Sequence, residues 1–457
     1  MHSLKRGRPT FTTLSDVMCG KSPTPVRSAF RRIAALSEHD CSEETHDGPT
    51  WPTSVPTNPD RLSFHRPRTS RSQSAILTAT CCVGAVVASA GYYLKDRNRQ
   101  GDWMFDLEVF VRAARSIKTS TSMYYEHSDM RYTHPPFNAL FYRPLIRLDP
   151  AKRAIIWNAL TLLSLNTISR VTWKAVLPHS RFIGLLPPIT SLAALLLDPV
   201  RKELLLGQTN TLACALILLD NCSWIHMTRA HGFLTGVATS IKLTPGVFAP
   251  YYFFRGDYRA FRNMLSAFGA SVAIGFAACP RESLDYWTHI VLKESRAGAP
   301  QDPRNQSPYG ILFRLLTPQQ SRTIWRLAGL PALLIATFGI ASQSVDSSTA
   351  APSMLGLLSC LLSPISWNHH YIWCIPAGII CVSGHISRSH WPALSITCST
   401  LFAFLAHPYT WNISTDPQGA LHLSAWQQVK AGIYPVAGLA LIVLLKSATL
   451  PRKGEAA

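Results

Sequence analysis

Long stretches without a charged side chain dominate the pattern of this chain. Residues 75–94 hold no Asp, Glu, Lys or Arg, and the same is true of 154–169, 182–197, 204–219, 263–280, 327–345, 347–387, 389–415 and 431–445. Strand-like alternation is absent, so these runs predict helices. A helix rises 1.5 Å per residue, and a run of about twenty residues is one bilayer crossing. Hydrocarbon offers no partner to a backbone N–H or C=O, which leaves helices as the spanning form. The expectation is an all-α polytopic membrane protein. About twelve crossings are expected, at 75–94, 136–149, 154–173, 182–198, 204–221, 231–254, 263–279, 323–342, 351–366, 370–386, 391–407 and 426–446.

Composition sharpens this picture. Charged residues make up only 15% of the 457 positions, against about 25% in soluble proteins. The net charge is +19, and the basic residues are scattered through loops without a stripe carrying interleaved aromatics. That distribution argues for anionic headgroups and lipid phosphates as partners and against nucleic acid. The eleven cysteines sit mostly in apolar runs, with no Cys-x-x-Cys pair and no zinc-type spacing, so neither a disulfide framework nor a metal is expected.

Residues 1–74 differ from the rest, being rich in Pro, Ser and Thr. They read as a disordered, weakly basic cytoplasmic tail, or as a start codon assigned too early; the first apolar run lies too far along for a cleavable signal peptide. Residues 75–446 form the membrane domain and 447–457 a second cytoplasmic tail. Arg255, Arg259 and Arg262 in one short loop, and Lys446, Arg452 and Lys453 at the end, favour a cytoplasmic N-terminus. Parity then sends loops 95–135, 280–322 and 408–425, with the His369–His370 end of its span, to the opposite face.

The first of those loops carries an acid in a helical pattern. Leu107, Phe110, Ala114 and Ile117 share one stripe, which predicts a short amphipathic helix at the headgroup boundary with Asp106 in its first turn. An acid there is also favoured by the helix dipole alone. Glu108 and Asp102 are fallback acids, and Glu108 points away from Asp106 on a helix.

Five motifs in order resemble one family. Asp106-Leu-Glu-Val-Phe110 is followed by Tyr124-Tyr125 and Thr133-His-Pro-Pro136-Phe137. Leu206-Gly-Gln208-Thr-Asn210 precedes Leu218-Leu-Asp220; His231-Gly232 to Gly236 precedes Ile241-Lys242-Leu-Thr-Pro245. Asn305-Gln306-Ser307 with Gly310 and Arg314 comes next, then Ser363-Pro-x-Ser366-Trp367-x-His369-His370. This series, over about residues 100–385, resembles the polyprenol-phosphate-mannose-dependent α-1,2-mannosyltransferases of actinobacteria, glycosyltransferase family 87, with the multi-span GT-C fold. His134 and Phe110 stand where that family usually has Tyr.

The resemblance implies a plasma-membrane enzyme with its active site on the extracytoplasmic face. It would transfer mannose from polyprenyl-phosphate-mannose, a co-substrate, to a hydroxyl of a phosphatidylinositol mannoside or lipomannan-type glycolipid, with no further cofactor. Asp106 maps onto the family's general base. A lipid phosphate leaves as an anion and needs positive charge or hydrogen-bond donors, not a strong acid. One carboxylate fits inversion better than retention, which wants a second. Candidates for binding are His369 or His370 toward donor phosphate or sugar, a pair that reads equally as structural, and Arg314 with the Asn305 and Gln306 amides toward phosphate or sugar hydroxyls, where Asn305-Gln-Ser also reads as a loop turn. Tyr125 stacks on sugar or anchors the interface, and His134 is a further binding candidate. Gln208 and Asn210 serve equally as interhelical glue. Lys242, costly inside a span, would snorkel to the cytoplasmic side or pair with an acid such as Asp198. An arabinofuranosyltransferase with a decaprenyl-phosphate donor is the sibling reading. A lipid or solute transporter is the rival from another class; it would place its site near the midplane and show internal repeats, and no repeat is evident.

Overall fold

A computed structural model describes residues 103–119, 122–125, 131–342, 349–413, 416 and 419–449, together with positions 83, 84, 87 and 91. These belong to one compact unit, Thr69–Ala457. The tail 1–74, most of the expected first span and Asp102 lie outside the described residues.

The described residues form helices and no named strand; one isolated bridge joins Asn305 to Trp367. The helices are α1 (Phe105–Ser116), α2 (Pro136–Phe141), α3 (Pro150–Val176), α4 (Leu186–Ala194), α5 (Asp198–Leu206), α6 (Asn210–Cys222), α7 (Phe233–Ile241), α8 (Phe248–Phe254) and α9 (Tyr258–Ala278). The second half adds α10 (Pro280–Asp285), α11 (Pro308–Leu315), α12 (Pro318–Ala341), α13 (Ala350–Leu362), α14 (Cys374–Ser387), α15 (Trp391–Ala406), α16 (Ala425–Ala431) and α17 (Ile433–Thr449). Local sequence sets several starts. Asp149 and Asp257 cap α3 and α9 by accepting the N–H groups of Lys152 and Ala260, and Thr317 with Gln320 forms a capping box on α12.

Among the described residues, only α12 is by itself long and apolar enough to cross a bilayer; α16 and α17, bent by 53°, pass together. The described helices do not bear out twelve crossings, and two of the expected segments take another form. Segment 136–149 is the six-residue α2 and a short 3-10 turn, and it packs beside α1 throughout. Segment 231–254 turns back on itself. His231 at its start lies 3.0 Å from Asp257 just past its end, so α7 and α8 form a hairpin with Lys242 near the apex. Pro245 and Gly246 break the helix there.

Close packing supports this hairpin. A Cβ on Gly232 would stand 2.1 Å from the Ala260 carbonyl oxygen, and one on Gly236 would stand 2.4 Å from that of Met264. The Gly-x-x-x-Gly face thus lets α7 lie directly against α9.

The described residues form two apolar cores. The larger joins α3–α9, α12–α15 and α17 around Leu165, Ile217, Phe248, Leu355 and Leu441. The smaller joins α1, α2, the loop before α2, the start of α3 and the residues flanking α10 around Leu107, Phe110, Tyr124, Trp157 and Tyr286. The stripe predicted for α1 is correct, but Leu107, Phe110 and Ala114 are buried against protein, so this side of the helix does not face the headgroup boundary.

Candidate active site

The site begins where α5 ends against α1. Gly207 adopts φ 71°, and a Cβ there would stand 2.6 Å from the Leu107 Cβ. Any larger residue would be strained by its backbone and would push the two elements apart. Met104 N–H donates to the Leu205 carbonyl (2.7 Å), which closes the junction. Gln208 then donates through Nε2 to Asp106 Oδ2 at 2.8 Å, and the Trp157 indole N–H fixes the Gln208 carbonyl at 3.0 Å.

Two residues further on, Asn210 reaches the cation. Lys242 Nζ donates to Asn210 Oδ1 at 2.5 Å and meets His370 Nε2 at 2.9 Å. An ammonium only donates, so Nε2 is the unprotonated nitrogen of His370 and Nδ1, 3.4 Å from the Ser366 hydroxyl, bears the proton. The segment Gly207–Asn210 thus holds a carboxylate at one end and an ammonium at the other. A small pocket lies against the Lys242–His370 pair, with Ile217, Phe248 and Trp373 on its apolar walls.

Lys242 does not pair with Asp198, as one sequence expectation had it. The Asp198 Oδ2 accepts from Asn368 Nδ2 (2.8 Å), Tyr409 OH (2.7 Å) and Tyr434 OH (3.0 Å), and so knots the His369–His370 segment to α5 and α17.

His134 packs its ring 4.9 Å from Phe110. Burial, reinforced by the Lys242 charge, pushes its pKa down from 6.5 to about 3, so it is a neutral imidazole. Its Nε2 belongs to a set of buried polar atoms that make no hydrogen bond among the described residues. The others here are Gln208 Oε1, the Thr209 hydroxyl and both ring nitrogens of His369. A buried polar group without a partner costs about 1–3 kcal/mol. The sequence segments that hold Asp106 and Lys242 therefore also carry unused capacity for hydroxyls and phosphate oxygens.

Other predicted residues serve elsewhere. Asn305 Nδ2 donates to the Pro300 and Pro364 carbonyls, and its Oδ1 accepts the Ser366 N–H. Gln306 Nε2 donates to Pro303 and Ala431, and its Oε1 accepts the Tyr434 N–H. Arg314 binds the Asp302 and Ala431 carbonyls and the Gln428 side chain. All three are buried, and their hydrogen-bonding groups staple loops together. Tyr125 is exposed and bonds Asp285 Oδ1 at 3.1 Å, under the Arg296 guanidinium. Glu108 pairs with Arg153 at 2.6 Å, turned away from Asp106 as the helical spacing predicted.

One buried acid was not singled out from the sequence. Glu203 is 0% exposed, and its carboxylate accepts Asn210 Nδ2 (2.9 Å) and the Thr211 N–H (2.7 Å). Its place one turn before Gly207, amid Arg201, Lys202 and three leucines, suggests a surface charge; only the fold reveals the partners.

Comparison with known proteins places the chain in a family. The model of glycosyltransferase family 87 matches residues 132–364, just over half of the chain. A polyprenol-phosphate-mannose-dependent alpha-(1-2)-phosphatidylinositol mannoside mannosyltransferase of Mycolicibacterium smegmatis is 28% identical over 373 residues, covering 75% of this chain and 83% of that protein. The protein of the same name from Mycobacterium tuberculosis is 28% identical over 299 residues, covering 61% and 70%. A phosphatidylinositol pentamannoside mannosyltransferase of Mycobacterium tuberculosis, also polyprenol-phosphate-mannose-dependent, is 26% identical over 439 residues, covering 92% of this chain and 94% of its own.

Proposed function

The chain belongs to glycosyltransferase family 87 and is a glycosyltransferase; from that premise we propose that it transfers mannose from polyprenyl-phosphate-mannose to a hydroxyl of a phosphatidylinositol mannoside. The relatives' names supply the sugar, donor and acceptor class. The geometry supports the chemistry through one observation above all: the Gly207–Asn210 segment holds Asp106 through Gln208 and Lys242 through Asn210.

In this reading Asp106 takes the proton of the acceptor hydroxyl as its oxygen attacks the anomeric carbon of mannose. A new C–O bond forms, the bond from that carbon to the phosphate oxygen breaks, and the electron pair leaves on the lipid phosphate. Lys242, with His370 beside it, faces the growing negative charge. Gln208 fixes the Asp106 rotamer, so the base need not reorganise during the step. Asn210 keeps Lys242 in place, and the unused groups of His134, Thr209 and His369 receive sugar hydroxyls or phosphate oxygens. Glu203 is a second carboxylate nearby, but both its oxygens are engaged within the protein. Asp106 then acts as the sole carboxylate of the reaction, which fits a single displacement with inversion, from a β-linked donor to an α-1,2 linkage. Tyr125 is at the periphery and suits the far end of an acceptor chain.

This reading sets the site at the extracytoplasmic headgroup level of the plasma membrane, where both lipid substrates present their polar ends. The test is product analysis with purified full-length protein. Labelled polyprenyl-phosphate-mannose and a panel of phosphatidylinositol mannosides should yield one additional α-1,2-linked mannose. Transfer only from polyprenyl-phosphate-arabinose, or none from either donor, would refute the assignment.

A further inference from the structure

Glu203 is a buried acid beside the site that the mechanism leaves without a task. It lies in α5, is fully buried, and uses both carboxylate oxygens at once. Oε1 accepts the Thr211 N–H at 2.7 Å, and Oε2 accepts Asn210 Nδ2 at 2.9 Å. The consequence falls on Asn210. An amide that turns its NH2 toward a carboxylate must turn its oxygen the other way, and that oxygen is the one receiving Lys242 Nζ at 2.5 Å. The reversed amide would set its NH2 against an ammonium and its oxygen against a carboxylate. Both contacts are repulsive, and the low dielectric of the interior magnifies them. The chain of bonds runs from Glu203 through Asn210 to Lys242 and ends on His370 Nε2.

We propose that Glu203 is a positioning residue for donor recognition: it sets which way the Asn210 amide faces, and through that amide it aims Lys242 at the phosphate of the lipid-linked donor. The inference rests on the reading that Lys242 meets that phosphate. The bland alternative is that Glu203 only caps the N-terminus of α6 through Thr211, as an acid does at many helix starts.

Glutamine separates the two roles. Glu203→Gln keeps an oxygen for the Thr211 N–H, so a cap survives, but it confronts the Asn210 NH2 with a second NH2. Pairing it with Asn210→Asp restores the network with one bond reversed. The introduced glutamine amide then donates to one oxygen of the introduced aspartate, and the other oxygen receives Lys242, at unchanged net charge.

The experiment measures initial rates of the purified full chain with polyprenyl-phosphate-mannose and a phosphatidylinositol mannoside acceptor, with thermal unfolding in parallel. Glu203→Gln should raise the donor KM by about tenfold or more, and leave the acceptor KM within about twofold. The double variant should return the donor KM to within about threefold of the parent, and in a Lys242→Ala background Glu203→Gln should add less than about twofold. If Lys242→Ala raises the donor KM and Glu203→Gln does not, Glu203 is a cap and the inference fails alone. If Lys242→Ala leaves the donor KM unchanged, the reading of Lys242 fails and takes the inference with it. Should Glu203→Gln not fold, the swap carries the test: a parent-like donor KM in the double variant, against a raised one in Asn210→Asp, supports positioning, and a raised KM in the double variant overturns it.

Discussion

Gln208 and Gln306 are both buried glutamines close to a helix start, yet the two amides are used differently. Gln208 spends Nε2 on the Asp106 carboxylate, and its Oε1 has no partner among the described residues. Gln306 donates to two backbone carbonyls and accepts a backbone N–H. The contrast extends to their neighbours. Around Gln208, Thr209 and His369 also keep unmet polar atoms among the described residues, and Lys242 sits between an amide and an imidazole. Around Gln306, Asn305 and Arg314 donate to backbone carbonyls, and the Asp198 oxygen a short way off collects three donors. A buried polar cluster that satisfies itself holds a fold together, whereas one left partly unsatisfied is ready for a polar ligand.

Substitutions can break that contrast. Gln208→Ala should lower kcat by about 100-fold by freeing the Asp106 rotamer, with the thermal midpoint nearly unchanged; rate and unfolding measured on one preparation check it. Gln306→Ala should do the reverse. It strands the Tyr434 N–H and two carbonyls, so stability should fall by about 2–3 kcal/mol while the folded fraction turns over at close to the parental rate. A Gln306→Ala protein that is stable but inactive would move this region into the active site.

The smallest expected effect concerns pH. His134 has a folded pKa of about 3 against 6.5 for an ordinary histidine. Between those values the unfolded chain binds a proton that the folded chain does not. Stability is therefore lost as pH falls through that window, by at most about 1.4 kcal/mol per pH unit from this residue. His134→Tyr should remove that contribution, so its thermal midpoint should fall less than the parent's between about pH 6.5 and 4.5. Equal slopes would show that His134 is not held neutral.

Much of this was legible in the chain. The helical class follows from the charge-free runs, and the stripe of Leu107, Phe110 and Ala114 places α1 and puts Asp106 in its first turn. The motif order led to the right family. Segment 231–254 was misread because its apolar run is nearly continuous; hydropathy registers composition, and direction is lost when a helix turns back. Pro245-Gly246 was the available signal for the break. The internal partners of Asn305, Gln306 and Arg314 were not legible either. Amides and a guanidinium that serve backbone carbonyls are indistinguishable in sequence from those that serve a ligand. Glu203 escaped notice because its partners, Asn210 and Thr211, lie past a glycine turn that only the folded chain brings back.

The most direct test of the account is the rate of mannosyl transfer by folded Asp106→Asn protein at saturating donor and acceptor. An amide of the same shape keeps the packing but cannot accept the hydroxyl proton, so kcat should fall by about 1,000-fold or more with the donor KM little changed. A kcat within about tenfold of the parent would contradict the assignment of Asp106 as the base.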